Sequence, residues 1–267
     1  MSDEGLSAFL SANRLPHRLV SHEERDVHTQ SFDIDVAGGK MPAYLARPEG
    51  DQPRPAIIVL QEIFGVNTEV KRITDLVANA GYVGVAINYY WRNHPTLNEP
   101  YTDEGLKTGL AAAAHISKQT LRADVQAAID WLNVQAFVEK GKIATWGFCM
   151  GGAAAFATAT LAGLKAAVSF YGGSIANPFP NDTPALDEAP NIKVPLFLAY
   201  GAKDDYIPKE ARDKIEAALK NNGKSYELHV YPDVGHAFFR HSSAEMNKQE
   251  VADAWQKVQG FLKKNLA

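Results

Sequence analysis

Apolar and polar residues alternate over 31–36, which predicts a half-buried strand; Gly38, Gly39 and Lys40 turn the chain into an antiparallel partner over 41–47. The pattern then changes. Residues 56–60 (Ala-Ile-Ile-Val-Leu) are continuously apolar, as in a parallel strand covered on both faces. A helix follows over 69–80, its apolar positions at Val70, Ile73, Val77 and Ala80 closed by Gly81. Further strands are predicted over 82–87, 142–146, 166–171, 194–200 and 225–231. Helices are predicted over 106–116, 121–137, 153–160, 209–222 and 245–262. Periodicity weakens between 93 and 117, where Pro95, Pro100, Gly105 and Gly109 mark an excursion containing the first of those helices. Strands alternating with helices call for a mainly parallel sheet with helices on both faces.

Residues 1–30 are polar, with a short helix predicted over 2–13, and read as an N-terminal extension to a single α/β domain spanning 31–267. At 267 residues, 46% of them hydrophobic, the chain has ample material for one large core. A net charge of −4 gives no electrostatic reason to expect nucleic acid or an anionic membrane as partner. The eight histidines do not cluster with the single cysteine, so no metal and no cofactor are expected. One cysteine forms no intrachain disulfide, and no segment has the length of a signal peptide core or a membrane span. The expectation is a cytoplasmic enzyme acting on a small molecule.

That cysteine stands at the centre of Gly147-Phe148-Cys149-Met150-Gly151-Gly152, between a buried strand and a run of small residues suited to a tightly packed helix. A sharp strand-to-helix turn needs small residues beside a strained nucleophile, and serine is the usual occupant. Cysteine there is a better nucleophile once ionised. Acyl transfer further requires a base, a group that orients it, and donors for the oxyanion. The chain supplies candidates in the order nucleophile, acid, histidine. Asp204 follows the strand ending in Gly201; of the adjacent pair it is the favoured acid, with Asp205 read as a cap for the next helix. His236 follows a strand and a glycine-containing turn, placed to swing over the elbow. The backbone N–H groups of Ile63 and Met150 are the expected oxyanion donors. Phe64 and Phe148 flank these positions and read as pocket walls. Tyr89, Tyr90 and Trp91 either line an acyl pocket or pack under the excursion, and the pattern does not choose between them. Glu62 is unexpected beside an oxyanion.

Gln61-Glu62-Ile63-Phe64-Gly65-Val66-Asn67, the cysteine elbow, Tyr200-Gly201-Ala202-Lys203-Asp204 and Gly235-His236-Ala237-Phe238 together resemble the dienelactone hydrolase (carboxymethylenebutenolidase) family, which has an α/β-hydrolase fold. The resemblance runs from about residue 31 to the C-terminal helix. It implies a Cys149–His236–Asp204 triad that opens an enol-lactone or ester through an acyl-enzyme. It also implies that Glu62 contacts the resting thiol and helps to generate thiolate when substrate displaces it. Family members acting on dienelactone hold its carboxylate with two arginines. Arg240 matches one of them, whereas 93–117 contains no arginine and leaves Lys107, with Arg92 just upstream, as the nearest cations. Ala237 stands where dienelactone hydrolases have serine. The same triad would serve a thioester or peptide hydrolase, and the same fold a non-catalytic binder of small ligands.

Overall fold

The computed structural model describes residues 26–179, 181–240 and 248–267. The helix expected over 2–13 and the first residues of the one expected over 245–262 lie outside them. Strand β1 (Val27–Val36) turns at Gly38 into β2 (Gly39–Pro48), an antiparallel hairpin. It begins four residues before the expected domain start at 31, so the end of the presumed extension belongs to the sheet. Helix α1 (Thr68–Asn79) links β3 (Arg54–Leu60) to β4 (Val83–Ile87). The excursion folds into α2 (Asp103–Ala113), and α3 (Lys118–Asn133) leads into β5 (Val138–Phe148).

Both of these helices start earlier than periodicity suggests, because side chains cap them there. Thr102 accepts the N–H of Gly105, and Ser117 and Thr120 form a reciprocal capping box. Helix α4 (Met150–Thr158) follows β5 at once and leads to β6 (Ala166–Phe170). A short hairpin, β7 (Pro178–Phe179) and β8 (Asp182–Pro184), and a 3-10 turn (Ala185–Asn191) precede β9 (Leu196–Gly201). Then come α5 (Lys209–Asn221), β10 (Tyr226–Tyr231) and α6 (Lys248–Asn265).

The main sheet has the order β1-β2-β4-β3-β5-β6-β9-β10. Only the β1–β2 and β2–β4 pairs are antiparallel. Pairings from β4 through β3, β5, β6 and β9 to β10 are parallel. This is the expected α/β-hydrolase architecture. Successive side chains of a strand face opposite ways, so Trp146 and Phe148 of β5 share a face. There Trp146 stacks on Trp255 of α6, with ring centroids 5.4 Å apart and planes within 6°. Phe170 of β6 and Phe239 of the loop after β10 complete this aromatic layer, and Trp146, Phe148, Phe170 and Phe239 are all fully buried. Each contributes about 1.5–3 kcal/mol by leaving water. The parallel strands β3, β5, β6 and β9 all deliver their following segments to one edge of this core, where α/β sheets bind ligands.

Candidate active site

Cys149 sits between β5 and α4 with φ 53° and ψ −116°, a backbone state that costs about 1–3 kcal/mol and persists only where its surroundings enforce it. The enforcement is steric. A Cβ at Gly147 would overlap the carbonyl of Gly151, and one at Gly151 would overlap those of Leu60 and Gln61. Those two glycines let strand, elbow and helix approach closely enough to hold the turn. The Cys149 N–H donates to Phe170 O at 3.0 Å, while its carbonyl accepts from Gly152 N and Ala153 N to start α4. Met150 is the first helical residue, so its N–H has no intrahelical acceptor.

His236 Nδ1 lies 2.8 Å from Asp204 Oδ2. The other carboxylate oxygen, Oδ1, accepts the N–H groups of Tyr206 (2.9 Å) and Ile207 (3.1 Å). One side chain therefore both shapes the loop after β9 and holds the imidazole. Asp205 is exposed, and α5 has no side-chain cap; the cap expected of Asp205 is not formed, and it is Asp204, on the inward turn of the loop, that accepts the amides ahead of the helix. Buried Arg212 fixes the same loop by donating to Gly201 O (3.1 Å) and Ile207 O (2.7 Å). The His236 ring is flanked edge-on by Tyr171 and Tyr206, at 5.2 and 5.1 Å. Burial alone would lower its pKa. The negative charge of a Cys149 thiolate and hydrogen bonding to Asp204 and Cys149 outweigh that and raise it to about 10.

The segment after β3 completes the cluster. Burial of the Glu62 carboxyl raises its pKa, opposed by Arg240, Tyr101 and His236. Arg240 Nη1 is 3.7 Å from Glu62 Oε2, and its guanidinium lies over the Tyr101 ring at 3.9 Å. Ile63 is nearly buried, and among the described residues no acceptor takes its N–H; an orphan donor of that kind is rare in a folded protein. The segment is pinned along its length. Tyr89 Oη donates to Gln61 O (2.6 Å), Glu99 N to Phe64 O (2.9 Å), and Gly65 forms an isolated bridge with Asn98.

Cys149, His236, Asp204, Glu62, Ile63, Met150 and Arg240 thus converge on one edge of the sheet. Phe64 is half-buried there with its ring on Tyr101, 4.7 Å away. Tyr90 is buried near Cys149, whose charge raises its pKa after burial does. Two further expectations are overturned. Phe148 is fully buried in the aromatic layer with Trp146, Phe170 and Phe239, because strand alternation turns it onto the α6 face and away from any pocket wall. Arg92 is committed to Asp124, with contacts of 2.8 and 2.9 Å, and lies over the Trp91 ring; it braces the start of the excursion against α3 rather than facing the site. Sequence reading missed Tyr101, Tyr171 and Tyr206. Tyr171 follows the end of β6 and Tyr206 follows the two aspartates, positions at which an aromatic is a signal. Tyr101 carries none. Among the described residues no group of three or more His, Cys, Asp or Glu side chains could hold a metal ion, and no helix is long and apolar enough to cross a membrane.

Residues 41–266 match the model of the dienelactone hydrolase family. A Synechocystis protein named "Putative carboxymethylenebutenolidase" is 33% identical over 242 residues, covering 90% of this chain and 98% of that one. A Bradyrhizobium protein, "Probable 2-oxo-3-(5-oxofuran-2-ylidene)propanoate lactonase", is 30% identical over 236 residues, covering 88% and 93%. The crystal structure of a "Putative Dienelactone Hydrolase" from Klebsiella pneumoniae superposes with a TM-score of 0.80 at 29% identity, covering 90% of this chain and 99% of that one.

Proposed function

The chain belongs to the dienelactone hydrolase family, and from that premise we propose that it hydrolyses carboxylic esters or lactones through an acyl-enzyme on Cys149. The observation that carries this reading is the 2.8 Å contact between His236 and buried Asp204, on an imidazole that also pairs with the Cys149 sulfur. The thiolate attacks the carbonyl carbon, and the carbonyl oxygen takes up the negative charge between the N–H groups of Ile63 and Met150. Collapse of the adduct breaks the ester bond, and imidazolium gives its proton to the departing oxygen. His236, now neutral, takes a proton from water as its oxygen attacks the thioester; collapse of this second adduct breaks the C–S bond, releases the carboxylic acid and restores the thiolate–imidazolium pair. Asp204 keeps Nδ1 protonated throughout, so that Nε2 faces the reaction.

Glu62 has a place in this cycle. A carboxyl whose burial favours the neutral form can accept the proton of a resting thiol, and once neutral it no longer repels the oxyanion. Arg240 is the cation placed to meet an anionic substituent of a small-molecule substrate, at the expense of its contact with Glu62. A cytoplasmic location belongs to the same proposal, since a catalytic thiol survives best where reductants reverse its oxidation.

Cys149→Ala should abolish turnover of an activated aryl ester, by about four orders of magnitude or more, while leaving the unfolding midpoint in urea near that of the parent. Parental rates in that variant would overturn the mechanism. A Cys149 inert to iodoacetamide at neutral pH would point to a small-ligand binder instead.

A further inference from the structure

We infer that Gly109, in the middle of α2 and far along the chain from both Ile63 and Cys149, is a positioning residue that aims the Ile63 N–H at the oxyanion. The inference rests on the oxyanion role proposed for Ile63. Helix α2 approaches the segment after β3 so closely at Gly109 that a Cβ there would overlap the carbonyl oxygen of Ile63. It would also stand 3.1 Å from the carbonyl carbon and 3.2 Å from Cγ1. The backbone of one element lies directly on the backbone of the other, with no side chain between them to deform.

The consequence for the N–H follows from how the segment is held. Its flanks are fixed on both sides of Ile63, by Tyr89 Oη on Gln61 O and by Glu99 N on Phe64 O, with the Gly65–Asn98 bridge beyond. A push on the Ile63 carbonyl therefore cannot be absorbed by sliding the whole segment. Rotation of the peptides about Cα of Ile63 takes it up, and the N–H on the far side of that Cα turns with them. Oxyanion stabilisation is steeply geometric, with useful donors lying 2.7–3.1 Å from the developing charge. Gly109 itself gains nothing from being glycine within its helix, where alanine is the better former. Its value is to Ile63.

The test compares two reactions of Cys149. Hydrolysis of an aryl ester passes through an oxyanion; alkylation by iodoacetamide displaces iodide from carbon and makes none. Gly109→Ala should lower kcat by about 10- to 100-fold and leave the alkylation rate within about twofold of the parent. Ala111→Gly, an exposed position on the same helix, weakens α2 without touching Ile63 and should keep parental kcat. Loss of both reactions in Gly109→Ala, or an equal loss of kcat in Ala111→Gly, would assign the effect to the general integrity of α2 and overturn the inference. Should Gly109→Ala not fold, Tyr89→Phe releases the opposite flank of the segment; a fall in kcat with alkylation preserved supports the inference, and no change in either counts against it. Cys149→Ala run alongside separates the two levels. Ester turnover independent of Cys149 defeats the proposed function, whereas Cys149-dependent turnover that is unchanged in Gly109→Ala defeats the positioning role alone.

Discussion

The His236 ring lies between two tyrosines, in surroundings whose apolar character resists its charge while a thiolate and Asp204 favour it; the second influence wins. A raised pKa means that the proton stays bound to higher pH, so the imidazolium that the proposed mechanism uses to protonate the leaving group persists through neutrality. The profile of kcat/KM for an activated ester should accordingly stay level on its alkaline side until pH climbs through about 10. In Asp204→Asn that limb should move to lower pH, because one of the groups that hold the proton is gone. A parent limb near the ordinary histidine value of about 6.5 would show that the pair does not form. The contact between Asp204 and His236 was legible in the sequence, since the candidate nucleophile, acid and base each follow a strand. Which of two adjacent aspartates turned inward was decided by the backbone of the loop, and no pattern of side chains records that.

Asn67 illustrates how elements are joined here. Its Oδ1 caps α1 by accepting the N–H groups of Glu69 (3.1 Å) and Val70 (3.2 Å), and its Nδ2 donates to Glu99 O in the excursion (3.2 Å). Asn67→Ala removes a cap worth about 1 kcal/mol together with the tie to Glu99, worth about another. We expect it to unfold at lower urea concentration and to lose kcat as the segment after β3 loosens. Asn67→Asp keeps the cap and lacks the donor, so it should recover the stability of the cap and only part of the rate. Helix α1 was legible because its apolar positions recur at helical spacing. The role of the excursion was not. Glu99 meeting Phe64, and Gly109 meeting Ile63, are backbone contacts across more than thirty residues that leave no periodic trace. Phe148 was misread for a related reason: its place beside the nucleophile was taken as its direction, although strand alternation sends it to the opposite face.

Across the whole molecule the mainly parallel character of the sheet was legible in its runs of apolar strands, though their order was not, while the 178–191 segment, whose two short strands and 3-10 turn have no strong pattern, was invisible before folding. It is tied down by charge. Glu188 accepts Arg122 of α3 at 2.6 Å, and Lys118 lies 3.5 Å from the same carboxylate. The hydrogen bond from Arg122 holds Glu188 below the usual carboxylate range. A carboxyl depressed in the folded state stabilises above its unfolded value of about 4.3 and loses that contribution as pH falls through its folded value. Glu188→Gln should therefore cost about 1 kcal/mol at neutral pH and flatten the loss of stability below pH about 4.3, measured as urea midpoints across pH. A parallel acid profile in parent and variant would remove Glu188 from that account.

The two oxygens of Asp204 also constrain how such a protein can diverge. Because one oxygen folds the loop and the other serves the imidazole, selection for a soluble product and selection for turnover press on the same atoms. The acid cannot drift to a neighbouring position by small steps, since any lineage that moves it must first rebuild the turn that presents it. Phe64, a half-buried side chain whose ring rests on Tyr101, has no such double duty, and a library seeking new substrates has its freedom there.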